Sequence, residues 1–337
     1  MKYRPLLSLP LVFFYLGTCL AMAQSPSKKV LFDHDGGVDD LLSLLLLTQM
    51  EQVELMGVVV TPADCFLEDA MTSTLKILAL TGHTEVQVAG SDARPVNPFP
   101  TKWRAQPMVI NAFPAMLNTT ENREQISNQP GAEFIAQQLR ESEEPVTILI
   151  TGPCTHTATA LARYPELRQK VQQVIWMGGA VDVKGNVAAH KHNGTAEWNA
   201  HWDPYAASVL FELGLDVKLI ALDVTNSVPV NMDFLKRLAR QQEYPLSNLA
   251  SQCWATTINS IPTYEYTYFM WDALATAYLG IPEAFSSEKA ELAVHTNVPA
   301  AGQTYRAEGN GNWVNVVKTV DQEIFYQYIL RLLSQKK

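Results

Sequence analysis

The sequence predicts an α/β protein: one domain with an open, mainly parallel (mixed) sheet flanked by helices. Three observations predict it. Short runs of branched apolar residues alternate with helical stretches along most of the chain, the pattern of a mainly parallel sheet. No linker, repeat or composition break divides the chain after its first two dozen residues. With 47% hydrophobic and 18% charged residues among 337, the chain carries enough apolar area to offset the entropy of ordering it.

The elements follow in order. Lys29 to Phe32 is a short β-rich run ending at an acidic cluster. Asp39 to Met50 (DDLLSLLLLTQM) is a helix apolar on most sides, and Val53 to Val60 is a buried strand. Glu68 to Thr81 is helical, with Gly82 ending it. Val86 to Ala89 is a third strand. Residues 92–112 form a Pro-rich loop too long for a simple connector, and loops of that kind often serve as functional lids. A helix over Pro130 to Ser142, a strand over Val146 to Ile150, a helix over Thr157 to Arg163 and a strand over Val171 to Met177 continue the alternation. Val217 to Leu222 is a further strand. Helices then dominate to about residue 280, with a late strand near Ala290 to Val294 and a helix from Asp321 to Ser334.

The N-terminal segment reads as a targeting signal. Lys2 and Arg4 precede the apolar stretch from Leu6 to Leu20, and Ala21-Met22-Ala23 has the small-x-small cleavage pattern. The stretch falls short of the roughly 20 apolar residues that span a bilayer. Residues 1–23 are expected to be a cleaved signal peptide and residues 24–337 the catalytic domain. The expected location is periplasmic or secreted, with no stable membrane anchor after cleavage. Three cysteines then remain, Cys65, Cys154 and Cys253. Their odd number and wide spacing suit small buried hydrophobes rather than a disulfide framework or a zinc site. The net charge of −9, from 25 basic and 34 acidic residues, lacks the basic footprint that nucleic-acid backbones demand.

Ligands of open α/β sheets bind at the carboxyl ends of the strands, so the polar residues there carry the chemistry. The first strand runs into Asp33-His34-Asp35-Gly36-Gly37-Val38-Asp39-Asp40. Four carboxylates within eight residues repel one another unless a cation sits among them, and oxygen ligands at this density suit Ca²⁺ or Mg²⁺. One Asp would satisfy a helix N-terminus; four exceed that need. An EF-hand loop is excluded by register, since Gly37 falls where an acid or amide is required. A phosphatase of the haloacid-dehalogenase type is a better rival, because its DxDG motif also follows a strand, but it leaves Asp39 and Asp40 without a role. Further strand ends carry Thr151-Gly152-Pro153 and Met177-Gly178-Gly179. Beyond them lie Gly185-Asn186, Glu197-Trp198-Asn199, Asp203-Pro204 and Trp271-Asp272.

In this order the motifs resemble the nucleoside hydrolases, which cleave the N-glycosidic bond of ribonucleosides with Ca²⁺. The resemblance runs from about Val30 to about Arg331, and the DHDGGVDD stretch is its most specific part. Within the family the sequence is most similar to the purine-specific inosine–adenosine–guanosine branch. The stretches TPADCF (61–66), VNPFPTKWR (96–104), MGGAVDVKGNV (177–187), GTAEWNAHWDP (194–204) and WDALATAY (271–278) carry that match. The resemblance implies the Rossmann-like nucleoside hydrolase fold, a homodimer, and a purine nucleoside as the small-molecule partner.

It also implies roles. Asp35, Asp40, Asp272 and the carbonyl of Thr151 hold Ca²⁺, and Asp35 takes a proton from the bound water. Asp39, Asn186, Glu197 and Asn199 grip the ribose hydroxyls, and Met177 lines the sugar site. Asp33 has a more structural role. Trp103 and Trp271 stack on the base and Asp64 contacts it, so that these three and Asp35 form the catalytic set. In the pyrimidine-tolerant branch a His precedes the last metal Asp; here that residue is Trp271. Three departures stand out. Gly37 replaces an Asn, His156 replaces an Asn, and the 258–268 loop carries Tyr264, Glu265, Tyr266 and Tyr268 in place of an expected Arg. Tyr268 joins the substrate-binding set. A binding protein that holds a nucleoside or ribose without cleaving it would need the ribose grip but no base acting on a bound water.

Overall fold

A computed structural model of the protein describes residues 27–335 apart from 92, 95 and 260–266. The proposed signal segment and Tyr264, Glu265 and Tyr266 lie outside the described residues.

Among the described residues the strands are β1 Lys28–His34, β2 Val53–Val60, β3 Gln87–Gly90, β4 Val146–Ile150, β5 Val171–Met177, β6 Val217–Ile220, β7 Phe285–Val294, β8 Thr304–Arg306 and β9 Asn312–Val320. They form one sheet in the order β3-β2-β1-β4-β5-β6-β9-β7-β8. Every pairing from β3 across to β9 is parallel, and β7 pairs antiparallel with both β9 and β8. The strand order therefore reverses between β1 and β4. At such a switch point the two flanking connections leave in opposite directions and open a crevice beyond the strand ends.

The helices are α1 Val38–Leu47, α2 Leu67–Leu80, α3 Gln106–Asn111, α4 Pro114–Leu117, α5 Gly131–Glu141, α6 Thr155–Arg163, α7 Trp198–Trp202, α8 Pro204–Glu212, α9 Leu222–Thr225, α10 Met232–Ala239, α11 Pro245–Asn259, α12 Trp271–Gly280 and α13 Gln322–Leu333. Successive β1 residues face opposite ways. Val30 and Phe32 join the core formed with α1, α2, α12 and α13, while Leu31 joins the core formed with α5, α6 and α8. All ten residues of α1 are buried. Its LLSLLLL run therefore has apolar neighbours on every side.

Several boundaries differ from those read in the sequence. The apolar run of β1 stops at Phe32, but pairing continues through Asp33 and His34 to Val59 and Val60. Both polar side chains are satisfied in place. Asp33 accepts from Thr157 Oγ1 at 2.9 Å and Thr61 Oγ1 at 3.3 Å. The His34 Nδ1 accepts from Gly36 N–H and its Nε2 meets Thr74 Oγ1. Thr74 itself donates to Ala70 O, so the imidazole is neutral with its proton on Nε2. Burial holds its pKa down at about 3. The late strand begins at Phe285 rather than Ala290; β9 lies between it and β6, and β8 extends the sheet past it.

The Pro-rich segment is the largest local difference. Its described residues are docked, not a free loop. Asn97 N–H donates to Trp202 O at 2.9 Å and Asn97 Nδ2 to His201 O at 2.6 Å. Gln106 Oε1 accepts from Val38 N–H at 2.9 Å, and Pro107 O from Ser73 Oγ at 3.3 Å. The segment is thereby tied to α7, α1 and α2.

Candidate active site

The crevice at the switch point is a cavity of about 220 Å³ whose floor comes from the ends of β1 and β4. The register makes this so. Asp33 pairs with Ile150, and Thr151 N–H then donates to Asp33 O at 2.9 Å. Asp35 and Thr151 are thus carried past the sheet edge side by side. Gly36, at φ +87°, makes the left-handed turn that sends the chain into α1. Asp39 and Asp40 then fall in the first turn of α1, where the helix dipole favours negative charge. Asp272 sits one residue inside α12. Met270 occupies the cap of that helix.

These carboxylates converge. Oxygens of Asp35, Asp40 and Asp64, and of Asp39, Asp40 and Asp272, form two groups whose atoms lie within 4.8 Å of one another. Asp40 belongs to both. It accepts from Gly37 N–H at 2.8 Å and from Thr151 Oγ1 at 2.5 Å. A Cβ on residue 37 would lie 2.7 Å from Asp64 Oδ2 and 2.9 Å from Asp40 Oδ2. Glycine at this position is what lets Asp64 approach the cluster. Asp35 Oδ2 and Asp64 Oδ1 are buried with no hydrogen-bond partner. Burial and mutual repulsion raise the pKa of Asp35, Asp64 and Asp272 well above the carboxylate range. Burial and the charge of Asp40 push Asp39 up to about 7 against a hydrogen bond from Tyr268. Orphaned carboxylate oxygens crowded at this distance fit a divalent cation with hard oxygen ligands.

The remaining predicted residues line the same cavity: Trp103, Met177, Asn186, Glu197, Asn199, Tyr268 and Trp271, with Thr151. Several are already engaged with the main chain. Asn199 Nδ2 donates to Thr151 O at 2.8 Å and Met177 O at 3.0 Å. The Thr151 carbonyl therefore keeps one lone pair for a cation. Glu197 caps α7, accepting from Gly179, Asn199 and Ala200 N–H groups. Burial still lifts its pKa to about 7. Asn186 Oδ1 accepts from Trp198 N–H.

Four lining residues carried no assigned role in the sequence: Phe99, Gln106, Trp198 and Trp202. Two of them stood in the EWNAHWDP stretch, but an isolated Trp more often packs a core. The structure joins Phe99, Trp103, Trp198 and Trp202 into one cluster with ring centroids 3.8–6.1 Å apart. A second set, Tyr268 and Trp271, meets at 4.6 Å. The pocket thus has an acidic floor and aromatic walls. His156, one of the three departures, is buried beside Thr61 Oγ1 at 2.8 Å and does not line the cavity. Cys65, Cys154 and Cys253 are buried and unpaired.

The buried acids set a pH dependence. Because their folded pKa values lie above those of the unfolded chain, the folded state binds more protons, so stability falls as pH rises through the folded values. In chelator, the melting temperature is expected to drop by several degrees from pH 5 to pH 8, a window set by Asp39 and Glu197 at about 7. A divalent cation should restore more at pH 8 than at pH 5. Calorimetry in both conditions checks this, and a flat profile in chelator would contradict the crowding described here.

Fold and site together define the class: an open-sheet α/β enzyme whose switch-point pocket sets a cation-accommodating carboxylate cluster against aromatic walls. A family model described as inosine-uridine preferring nucleoside hydrolase matches residues 30–327, and the chain belongs to that family. The solved inosine-uridine preferring nucleoside hydrolase from Bacillus anthracis superposes with a TM-score of 0.85 at 38% identity, covering 91% of this chain and 99% of that one. The purine-preferring ribonucleoside hydrolase from Gardnerella vaginalis shares the fold (TM-score 0.77, 23% identity, 91% and 98% covered). Among sequence relatives, the pyrimidine-specific ribonucleoside hydrolase RihA of Escherichia coli K12 is 27% identical over 88% of this chain and 95% of its own. Uridine nucleosidase 1 of Arabidopsis thaliana is 24% identical over 90% and 92%. Family membership places the reaction as hydrolysis of the N-glycosidic bond of nucleosides and sets aside the phosphatase.

Proposed function

We propose that the protein is an exported, Ca²⁺-dependent purine nucleosidase that converts inosine, adenosine or guanosine and water to free base and ribose. The observation that carries the purine reading is the pair of aromatic walls, with Trp271 in place of a proton-donating His beside Asp272. Indole faces stack on any base, and the larger purine gains more from two of them.

Asp35, Asp40, Asp272 and the Thr151 carbonyl are the proposed cation ligands. A bound calcium ion would supply positive charge that acidifies water and orients the sugar diol. The C1′–N9 electron pair leaves with the base, which takes a proton at N7 from solvent, and the cluster's negative charge favours the oxocarbenium-like sugar left behind. The water oxygen then bonds to C1′ as its proton passes to the unpartnered Oδ2 of Asp35, which releases it to solvent, so one water is consumed. Asp39, Asn186, Glu197 and Asn199 hold the ribose hydroxyls, Met177 lies against the sugar, and Asp64 and Tyr268 face the base end. Export rests on the residue 1–23 pattern, and a homodimer on the family resemblance.

The test is ribose release from inosine and from uridine, each with Ca²⁺ and with chelator. Chelator-sensitive hydrolysis of inosine, faster than uridine by about tenfold or more, is the expected result. Equal rates, or faster uridine cleavage as the names of the curated relatives suggest for those proteins, would overturn the purine reading and leave the hydrolase.

A further inference from the structure

We propose that Trp202 determines specificity at the base end of the pocket: its indole N–H donates a hydrogen bond to an acceptor atom of the substrate's heterocycle. The proposal rests on the purine reading above and adds a direct polar contact to it.

Four polar side-chain atoms among the pocket residues are buried and unpartnered: Asp35 Oδ2, Asp64 Oδ1, Trp202 Nε1 and Trp271 Nε1. The proposed reaction gives Asp35 a proton to receive and Asp64 a base to contact, and it uses Trp271 through its ring face rather than its N–H. It leaves Trp202 unexplained. A buried N–H with no acceptor costs stability on the order of 1–3 kcal/mol, so an indole kept at 3% exposure in the wall of a ligand cavity calls for a partner. Among the described residues none accepts from Nε1, while every purine offers ring nitrogens that accept.

The placement suits that role. Trp202 ends α7, the five-residue helix capped by Glu197 and carrying Asn199 as its second residue. Five residues of helix advance about 7.5 Å, a step from the sugar end of a nucleoside to its base. Trp202 is also fixed. The two hydrogen bonds from Asn97 clamp the main chain at His201 and Trp202, and the Phe99 ring lies 3.8 Å from its indole centroid. A donor held this firmly loses little entropy on binding and discriminates by what faces it.

The experiment compares wild type with Trp202→Phe, which keeps an aromatic ring and removes the donor together with part of the indole's volume. Competition constants are measured for inosine and for three nucleosides that each lack one acceptor: 7-deazainosine, 3-deazainosine and the 6-unsubstituted purine riboside. Ribose serves as a control for the sugar site. The variant is expected to weaken inosine about five- to tenfold, the worth of one hydrogen bond. One analogue should be weaker on wild type and indifferent to the substitution. Equal loss across all four nucleosides would assign Trp202 to packing and overturn the proposal, as would no loss at all. If the variant fails to fold, wild type alone decides: undiminished binding of all three analogues would exclude the donor. Failure of wild type to bind inosine would instead sink the purine reading itself.

Discussion

Asp40→Asn is expected to lower kcat/KM for inosine by about 10³-fold, within the range for losing a preorganised charge at a reacting centre. Asp40 is the one carboxylate common to both groups of the cluster. It also accepts from Gly37 N–H, Asp35 N–H and Thr151 Oγ1. An asparagine keeps one acceptor oxygen and turns an NH₂ toward a donor, so the loop loses a hydrogen bond as well as a charge. The same change relieves repulsion among the buried acids. The chelated variant should therefore melt no lower than chelated wild type, and the rise in melting temperature on adding Ca²⁺ should vanish. Steady-state kinetics and calorimetry with and without Ca²⁺ read both effects. Activity within tenfold of wild type together with an intact Ca²⁺ response would remove Asp40 from the centre of the site.

Trp271→Ala is expected to cost inosine roughly 10²-fold in kcat/KM, at the upper end of what one stacked base contributes, while uridine changes by less than about threefold. The inosine-to-uridine ratio is the decisive quantity. Trp271 also packs on Tyr268 at 4.6 Å and Phe269 at 6.0 Å, and its neighbour Asp272 lies in the acidic floor. A general disturbance of that floor would depress both substrates alike, and a parallel loss would refute stacking as the source of preference.

The acidic floor was legible in the sequence because its chemistry is local. Asp35, Asp39 and Asp40 sit within six residues, and four acids so close have few structural uses. The parallel strands were legible through their branched runs. What was not legible depends on partners distant in the chain. The end of β1 was read short because Asp33 and His34 are polar; Thr61, Thr74 and Thr157, which satisfy them, come from other segments. The three-residue β8 is too short to show periodicity. Nothing in the 92–112 segment announces the bonds that tie Asn97 to α7. Phe99, Gln106, Trp198 and Trp202 escaped because a lone aromatic or amide carries no chemical signature until the fold gathers it with others.

Helix α1 has no wet face, and this divides the molecule into a part that can vary and a part that cannot. Each residue from Val38 to Leu47 is enclosed, so exchanging any of them disturbs packing before it can retune binding. Asp39 and Asp40 are mounted on that immovable shaft. The aromatic walls come instead from the Pro-rich segment, the short α7 and the start of α12, where Phe99, Trp198 and Trp202 form a small cluster of their own apart from that helix. A lineage built this way can drift from one nucleoside to another by reworking its walls while the machinery that breaks the bond is inherited unchanged.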